Sequence, residues 1–232
     1  MSLRRLRAEQ PESFAFSGGN LARCEREIAK YPPGRQASAV IAMLWIGQEQ
    51  EGWVSKPMIE TVAQMLAMPY IRVLEVATFY TMFNLEPVGR HLVQVCTTTP
   101  CWLRGSDDLV AACKKHIAKT PHTVSADGKF SWMEVECLGA CVNAPMLQID
   151  KDFFEDLDGP ITEKLLEDLR AGRSVKPGPQ NSRHTSEPLG GATTLTDPSL
   201  FDGSMIGRQK RSQTVADADA KTPAQKPPGA AS

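Results

Sequence analysis

The sequence predicts an α+β fold: a helical first third, a small layer of helices on a sheet, and an extended, largely disordered tail. Three observations support this. Apolar residues recur at helical spacing as far as Pro87. From Val88 to Lys176 short strand-like runs alternate with helical ones, the pattern of helices packed on a sheet. From Lys176 to Ser232, 13 of 57 residues are Pro or Gly and only 6 are Leu, Ile, Val or Phe. Such a stretch buries too little apolar surface to offset its ordering entropy. The corresponding segments are 1–87, 88–176 and 177–232.

In the first segment, Leu21, Cys24, Ile28 and Tyr31 share a helical face, with Asn20 as N-cap and Pro32-Pro33-Gly34 as the stop. Ser38 caps a second helix, "AVIAMLWIGQEQE", which runs to Gly52. Ser55 caps a third, in which Ile59, Val62 and Leu66 share a face. After Pro69, "YIRVLEVATFYTMF" is apolar nearly all round, so as a helix it must be buried or bind a partner.

In the second segment, "HLVQVC" reads as a strand. "GSDDLVAACKKHIAK" reads as a helix capped by Ser106, with Asp107 and Asp108 in the favourable first turn. "FSWMEVEC", "MLQID" and "FFEDL" read as an antiparallel strand run, and "ITEKLLEDLRAG" as a helix closed by Gly172.

Bulk composition narrows the function. A net charge of −1 gives no basic excess for nucleic acid or an acidic membrane surface. The longest apolar run, Ala39 to Ile46, is far short of the ~18 residues of a membrane span, so no direct membrane insertion is expected. "MSLRRLR" is followed by Glu9 and Glu12 and by no apolar core, unlike a secretory signal. A reducing compartment is expected, where clustered cysteines point to metal or redox chemistry.

Cys96 and Cys101 form C-x4-C, and Cys137 and Cys141 form C-x3-C. Each pair follows a strand-like run, so both loops are placed to meet at one end of a sheet. Four converging thiolates suit a soft-metal centre. A zinc site, a redox dithiol and disulfides remain open, although C-x2-C turns and the C-x-x-C redox motif are absent. Cys24 and Cys113 lie on apolar helical faces and read as small buried hydrophobes. His91, His116, His122 and His184 are scattered, and no G-x-G-x-x-G or P-loop is present. No residue reads as catalytic.

These residues carry a resemblance. "EVATFYTMFN", "TTTPCWLRGS", "VECLGACVNAPMLQID" and "FFEDL" resemble signature stretches of the thioredoxin-like two-iron ferredoxin subunits of NADH:quinone oxidoreductase, respiratory complex I. "TSEPLGGATTLTDPS" resembles the extended C-terminal segment of bacterial and mitochondrial members. The likeness runs from about residue 10 to 200. It implies an N-terminal helical bundle, a thioredoxin-like domain and one [2Fe–2S] cluster on Cys96, Cys101, Cys137 and Cys141. It also implies a flavoprotein partner that holds FMN and oxidises NADH, and other peripheral-arm subunits. The enzyme is then the NADH:quinone oxidoreductase complex, to which this chain contributes electron transfer. Its place is the cytoplasmic side of a bacterial inner membrane, or the matrix side in a mitochondrion. The same module resembles subunits of NAD-linked hydrogenases and formate dehydrogenases, and a stand-alone ferredoxin is the third reading; the tail favours complex I.

Several finer expectations follow. Since each short loop can pinch one tetrahedral metal, Cys96 and Cys101 are expected on one iron and Cys137 and Cys141 on the other. Gly139 and Ala140 are expected to let backbone N–H groups approach sulfur, Arg104 to screen the centre and Trp102 to cover it. Ser182 to Phe201 is expected to lie along a partner, anchored by Leu189, Leu195, Leu200 and Phe201, with the chain mobile from Gln209 onward.

Overall fold

A computed structural model of the chain describes residues 4–191 and 193–200. Two compact units divide it, Met1–Thr185 and Ser186–Ser232.

The first unit opens with four helices, α1 (Gly18–Ala29), α2 (Val40–Glu51), α3 (Lys56–Met65) and α4 (Tyr70–Phe79). Met43, Leu44, Ile59, Val62, Val73 and Ala77 are fully buried in their shared core, and Phe83 joins them from the chain beyond α4. Two expected caps are corrected. Gln50 of α2 accepts from the backbone N–H of Ser17 at 2.9 Å and from Asn20 Nδ2 at 3.0 Å. The helical ladder starts with Leu21 N–H on Ser17 O at 2.7 Å, so the helix begins at Gly18 and Asn20 lies inside it, its side chain engaged by Gln50. Ser38 sits within a 3-10 turn, Gln36–Ala39, that precedes α2 rather than capping it. Ser55 does cap α3, accepting from the N–H of Met58 at 3.4 Å, and α2 ends at Gly52 as expected.

The apolar run after Pro69 is helical only as far as Phe79, because Tyr80 turns extended and Phe83 folds back into the core. The helix end is held from the N-terminal segment: Arg4 donates from Nη1 to the carbonyls of Thr78 (3.1 Å) and Tyr80 (2.7 Å), and from Nη2 to that of Phe83. The first of these fills a last-turn carbonyl that a terminating helix leaves without a partner, and the others tie down the turn beyond it. Ile71 and Met82 stay exposed and Phe79 is 76% exposed, so the run is half covered by its own unit.

The sheet contains β1 (His91–Cys96), β2 (Phe130–Val135), β3 (Leu147–Ile149), β4 (Asp152–Glu155) and β5 (Gly178–Pro179), in the order β2-β1-β3-β4-β5. β1 and β2 are parallel neighbours, so the expected run of β2, β3 and β4 alternates in direction as the sequence suggests, but β2 pairs with β1 and not with β3. The cause is the crossover between them: α5 (Thr99–Leu103) and α6 (Ser106–His116) return the chain to its starting edge, as parallel pairing requires. β3 is antiparallel to β1 and β4 to β3, while β5 is parallel to β4. α6 and α7 (Gly159–Arg170) share a core with Val93, Val95, Trp132, Leu147 and Phe154. Cys113 is fully buried there, as Cys24 is in the helical core. The expected strands, and α7 with Gly172 beyond it at φ 73°, stand where the sequence places them.

In the second unit, Gly191 N–H donates to Pro188 O at 2.8 Å and one 3-10 turn spans Pro198–Leu200. Leu189 and Leu195 are exposed. Phe201 and the stretch from Gln209 onward lie outside the described residues.

The entry into β2 depends on one close approach. A Cβ on Gly89 would stand 2.3 Å from the carbonyl carbon of Phe130, which only glycine avoids. Gly89→Ala is therefore expected to lower unfolding free energy by about 1–3 kcal/mol, the cost of overpacking. Gly18→Ala, where a Cβ meets nothing within 4 Å, is the control expected to change little. Urea midpoints measure both, and equal midpoints for the two variants would contradict this account.

Candidate metal centre

The parallel register builds the site. Cys96, the last residue of β1, pairs with Val135, the last residue of β2. The chain leaving β2 therefore delivers Cys137 beside the end of β1. Cys101 lies not in an open loop, as the sequence suggested, but on α5, which Thr98 precedes and which has Pro100 in its first turn. Pro near a helix start and Thr ahead of it are the usual signals, and "TTTPC" contained them. Cys141 opens a 3-10 turn, Cys141–Asn143, after a bend at Gly139 with φ 88°.

The thiols come as two pairs in unlike surroundings. Cys96 and Cys101 are each 1% exposed and pack with Ala144 and Met146. Cys137 and Cys141 are exposed, with their sulfurs 3.4 Å apart. Burial pushes the Cys96 thiol up, but the Thr98 hydroxyl, 3.3 Å away, and the N–H groups of Leu138 and Thr98 outweigh it and leave the pKa below its ordinary value. Burial, with Cys96 beside it, pushes Cys101 up to about 12, against the N–H of Met146. Cys141 is raised first by its hydrogen bond with Cys137. The amides directed at sulfur belong to Leu138, Thr98 and Met146 at the buried pair and to Cys141 itself at the exposed pair; none of them is the N–H of Gly139 or Ala140. Gly139 supplies the turn that aims Leu138, and the donors Thr98 and Met146, one beside each buried cysteine's loop, were not singled out.

Ser106 is not the cap of α6. Gly105 holds that place at φ 97°, and Ser106 is the first helical residue, its Oγ buried and without a hydrogen-bond partner among the described residues. The shift follows from α5, which occupies the chain up to Arg104. Asp107 and Asp108 do lie in the first turn. Trp102 is 57% exposed and Arg104 is exposed, so neither seals the buried pair. Trp102, Leu103 and Val142 instead form an exposed apolar rim next to the cysteines in sequence.

The histidines have partners that spacing could not reveal, because those lie far along the chain. His91 Nδ1 is 2.7 Å from Asp150 Oδ2, His116 Nε2 is 3.2 Å from Glu163, and His122 Nδ1 is 3.7 Å from Glu86. None of these carboxylates belongs to the cysteine loops. Among the described residues, no group of three or more His, Cys, Asp or Glu side chains is disposed to hold one metal ion. Two thiols about 2.3 Å from one tetrahedral metal stand about 3.8 Å apart. The Cys137–Cys141 spacing approaches that value, so this pair suits one tetrahedral metal, and Cys96 and Cys101, which interact with each other in the buried half, are the donor set for a second.

Comparison with known proteins agrees with the fit. Residues 24–170 match the family model described as thioredoxin-like [2Fe-2S] ferredoxin. The chain is 57% identical over 203 residues to a subunit of the NADH-quinone oxidoreductase of Rhizobium meliloti (strain 1021), covering 85% of this chain and 74% of that one. It is 53% identical over 159 residues to the corresponding NADH-quinone oxidoreductase subunit of Rickettsia bellii (strain RML369-C), covering 68% of this chain and 95% of that one. Among solved structures, an NAD+-reducing [NiFe]-hydrogenase in its H2-reduced state shares the fold at TM-score 0.51 and 18% identity. That match covers 58% of this chain and 22% of the hydrogenase chain.

Exposure predicts an order of thiol reactivity in the metal-free chain. Brief iodoacetamide treatment is expected to label Cys137 and Cys141 first and to spare Cys24 and Cys113, whose pKa values burial pushes to about 11 and about 12, until denaturant is added. Peptide mass mapping checks this; early labelling of Cys113 would contradict the buried core described above.

Proposed function

The chain belongs to the thioredoxin-like [2Fe–2S] ferredoxin family, and on that premise we propose that it is the iron–sulfur electron-transfer subunit of an NADH:quinone oxidoreductase. The observation that carries this is that both cysteine pairs lie beyond the paired ends of β1 and β2, close enough for Cys96 to act on Cys141. Cys96 and Cys101 would hold one iron of a [2Fe–2S] cluster from the buried side, and Cys137 and Cys141 the other from the exposed side. When bound, such a cluster takes up and passes on one electron at a time. The N–H groups of Thr98, Leu138 and Met146 lower the electrostatic cost of added negative charge at the sulfurs. No side chain here is required to hold or move a proton.

Electrons must then arrive from a partner that handles hydride. The names of the relatives support a complex that oxidises NADH and reduces quinone. A flavoprotein partner with FMN is the group we assign to that hydride step, because a cluster on this chain takes one electron at a time. No described helix is long and apolar enough to cross a membrane, which suits a peripheral subunit facing the bacterial cytoplasm. Segment 1–87 serves as a helical bundle for docking, 88–176 as the thioredoxin-like domain that carries the cluster, and 177–232 as an extended tail. The exposed Ile71, Phe79 and Met82 support the bundle's role, and the exposed Leu189 and Leu195 support a partner-bound strap. The likeness to the hydrogenase is one of fold and does not favour a hydrogenase role.

Single replacement of Cys96, Cys101, Cys137 or Cys141 by Ala is expected to abolish or strongly degrade the EPR signal of the reduced, reconstituted chain. Replacement of Cys24 by Ala is expected to preserve it. An unchanged spectrum in any of the first four would remove that residue from the ligand set.

The docking surfaces are read by hydrogen exchange on the free chain and on the assembled complex. Protection of 71–82 and 186–200 is expected to rise only in the complex. Identical exchange in both states would refute the docking assignment.

A further inference from the structure

The loop after Cys141 is held from outside by residues that ligate nothing. Val142 O accepts from Arg183 Nη1 at 2.9 Å. Asn143, a buried polar residue, donates from Nδ2 to Asp156 Oδ2 at 2.9 Å and to Thr185 O at 2.8 Å. In return, Asp156 N–H donates to Asn143 O at 2.8 Å, and Leu157 N–H to Pro145 O at 3.0 Å. Arg183 Nη2 faces Asp156 Oδ1 at 3.4 Å, the two side chains 15% and 8% exposed. Asp156 is kept at φ 53°, a backbone conformation that a non-glycine residue adopts only under local constraint.

We propose that Arg183 is a positioning residue for the exposed half of the cluster site, clamping residues 142–145 and so fixing where Cys141 presents its sulfur. The inference rests on the ligand assignment proposed above. The loop has little of its own to hold it: Asn143 N–H to Ala140 O at 3.0 Å and Ala144 N–H to Cys141 O at 3.3 Å are its internal bonds. Cys96 and Cys101 are fixed by a strand end and a helix, so only the Cys137–Cys141 pair depends on a loop. A guanidinium that bonds a backbone carbonyl and a nearly buried carboxylate at once is suited to this, because each bond is charge-assisted and the pair is largely shielded from water. Removing it leaves Asp156 buried with its charge uncompensated. A residue whose only duty were to close β5 onto the sheet would affect stability as a whole; a clamp affects one loop and one iron.

The test uses the full-length chain carrying Arg183→Gln, with Arg183→Lys as the charge-conserving variant. In the metal-free protein, amide exchange at 142–144 is expected to accelerate in Arg183→Gln while β1 and β2 keep their protection. After reconstitution, iron loss to a chelator is expected to be about tenfold or more faster, the scale at which residues behind metal ligands act. Mössbauer spectra of 57Fe are expected to change at one iron and not the other, and Arg183→Lys to recover part of each effect. Unaltered exchange and iron loss in Arg183→Gln would overturn the proposal, as would loss of protection spread evenly over the sheet. Should Arg183→Gln fail to fold, the same readouts on Arg183→Lys decide. If the unaltered chain assembles no [2Fe–2S] cluster, the ligand assignment falls, and exchange at 142–144 still decides whether Arg183 clamps the loop.

Discussion

The candidate centre depends on β1 and β2 being parallel neighbours. Cys96 and Val135 sit opposite one another at the ends of their strands, so the chain after each strand enters the same space. Were β2 antiparallel, its end would face His91, about 17 Å away at roughly 3.3 Å per residue, and no short loop could bring Cys137 back. The same edge also receives the start of β3, which runs antiparallel to β1. Cys96 N–H donates to Met146 O at 3.4 Å, and the Met146 N–H points at Cys101. One register therefore places three of the four thiols and an amide donor. It holds only because α5 and α6 supply the crossover and because Gly89 lets the chain pass close to Phe130.

Burial divides the site into unlike halves, with chemical consequences. An electron added to a cluster held by four thiolates increases a charge that is already negative, and burial makes that costly. Thr98, Leu138 and Met146 supply amide donors at the buried pair, and the N–H of Cys141 faces its own sulfur at the exposed one. At the exposed pair, water can do the same work until something covers it. The apolar rim of Trp102, Leu103 and Val142 is suited to being covered. A partner seated there would expel water from the outer thiols and make every remaining dipole count for more. The reduction potential would then belong to the assembled enzyme more than to the isolated chain.

Elements governed by local rules were legible in the sequence. Ser55 capping α3, the strands ending at Cys96 and near Cys137, and the buried Cys24 and Cys113 follow from spacing and side-chain chemistry alone. The misreadings share another cause: a partner distant in the chain. Asn20 loses its capping place because its side chain is engaged elsewhere, donating to Gln50 of α2 and accepting from the Arg23 guanidinium. The neighbour of β2 is set by a crossover that brings it to β1, and not by its own residues. The helix after Pro69 stops early where Phe83 is drawn into the core and Arg4 reaches the open carbonyls. The clamp of Asn143, Asp156 and Arg183 joins three stretches of chain, and no period or motif connects them. Four cysteines were visible as a set, whereas the groups that aim them and donate hydrogen bonds to them were not.

The pairing of the thiols also bears on which metal centre the fold was shaped for. A single zinc ion draws four sulfurs into one tetrahedron, each about 3.8 Å from the others. Here the described residues offer no such group, and the thiols divide by origin and by burial: one pair from a strand end and a helix, the other from an exposed turn. A binuclear cluster tolerates that division, since bridging sulfides span the gap and each metal needs only two protein ligands. It also explains why the two halves can be secured by different means. Sheet register holds the inner pair. The outer pair is left to a glycine turn and to contacts from residues that follow the last strand.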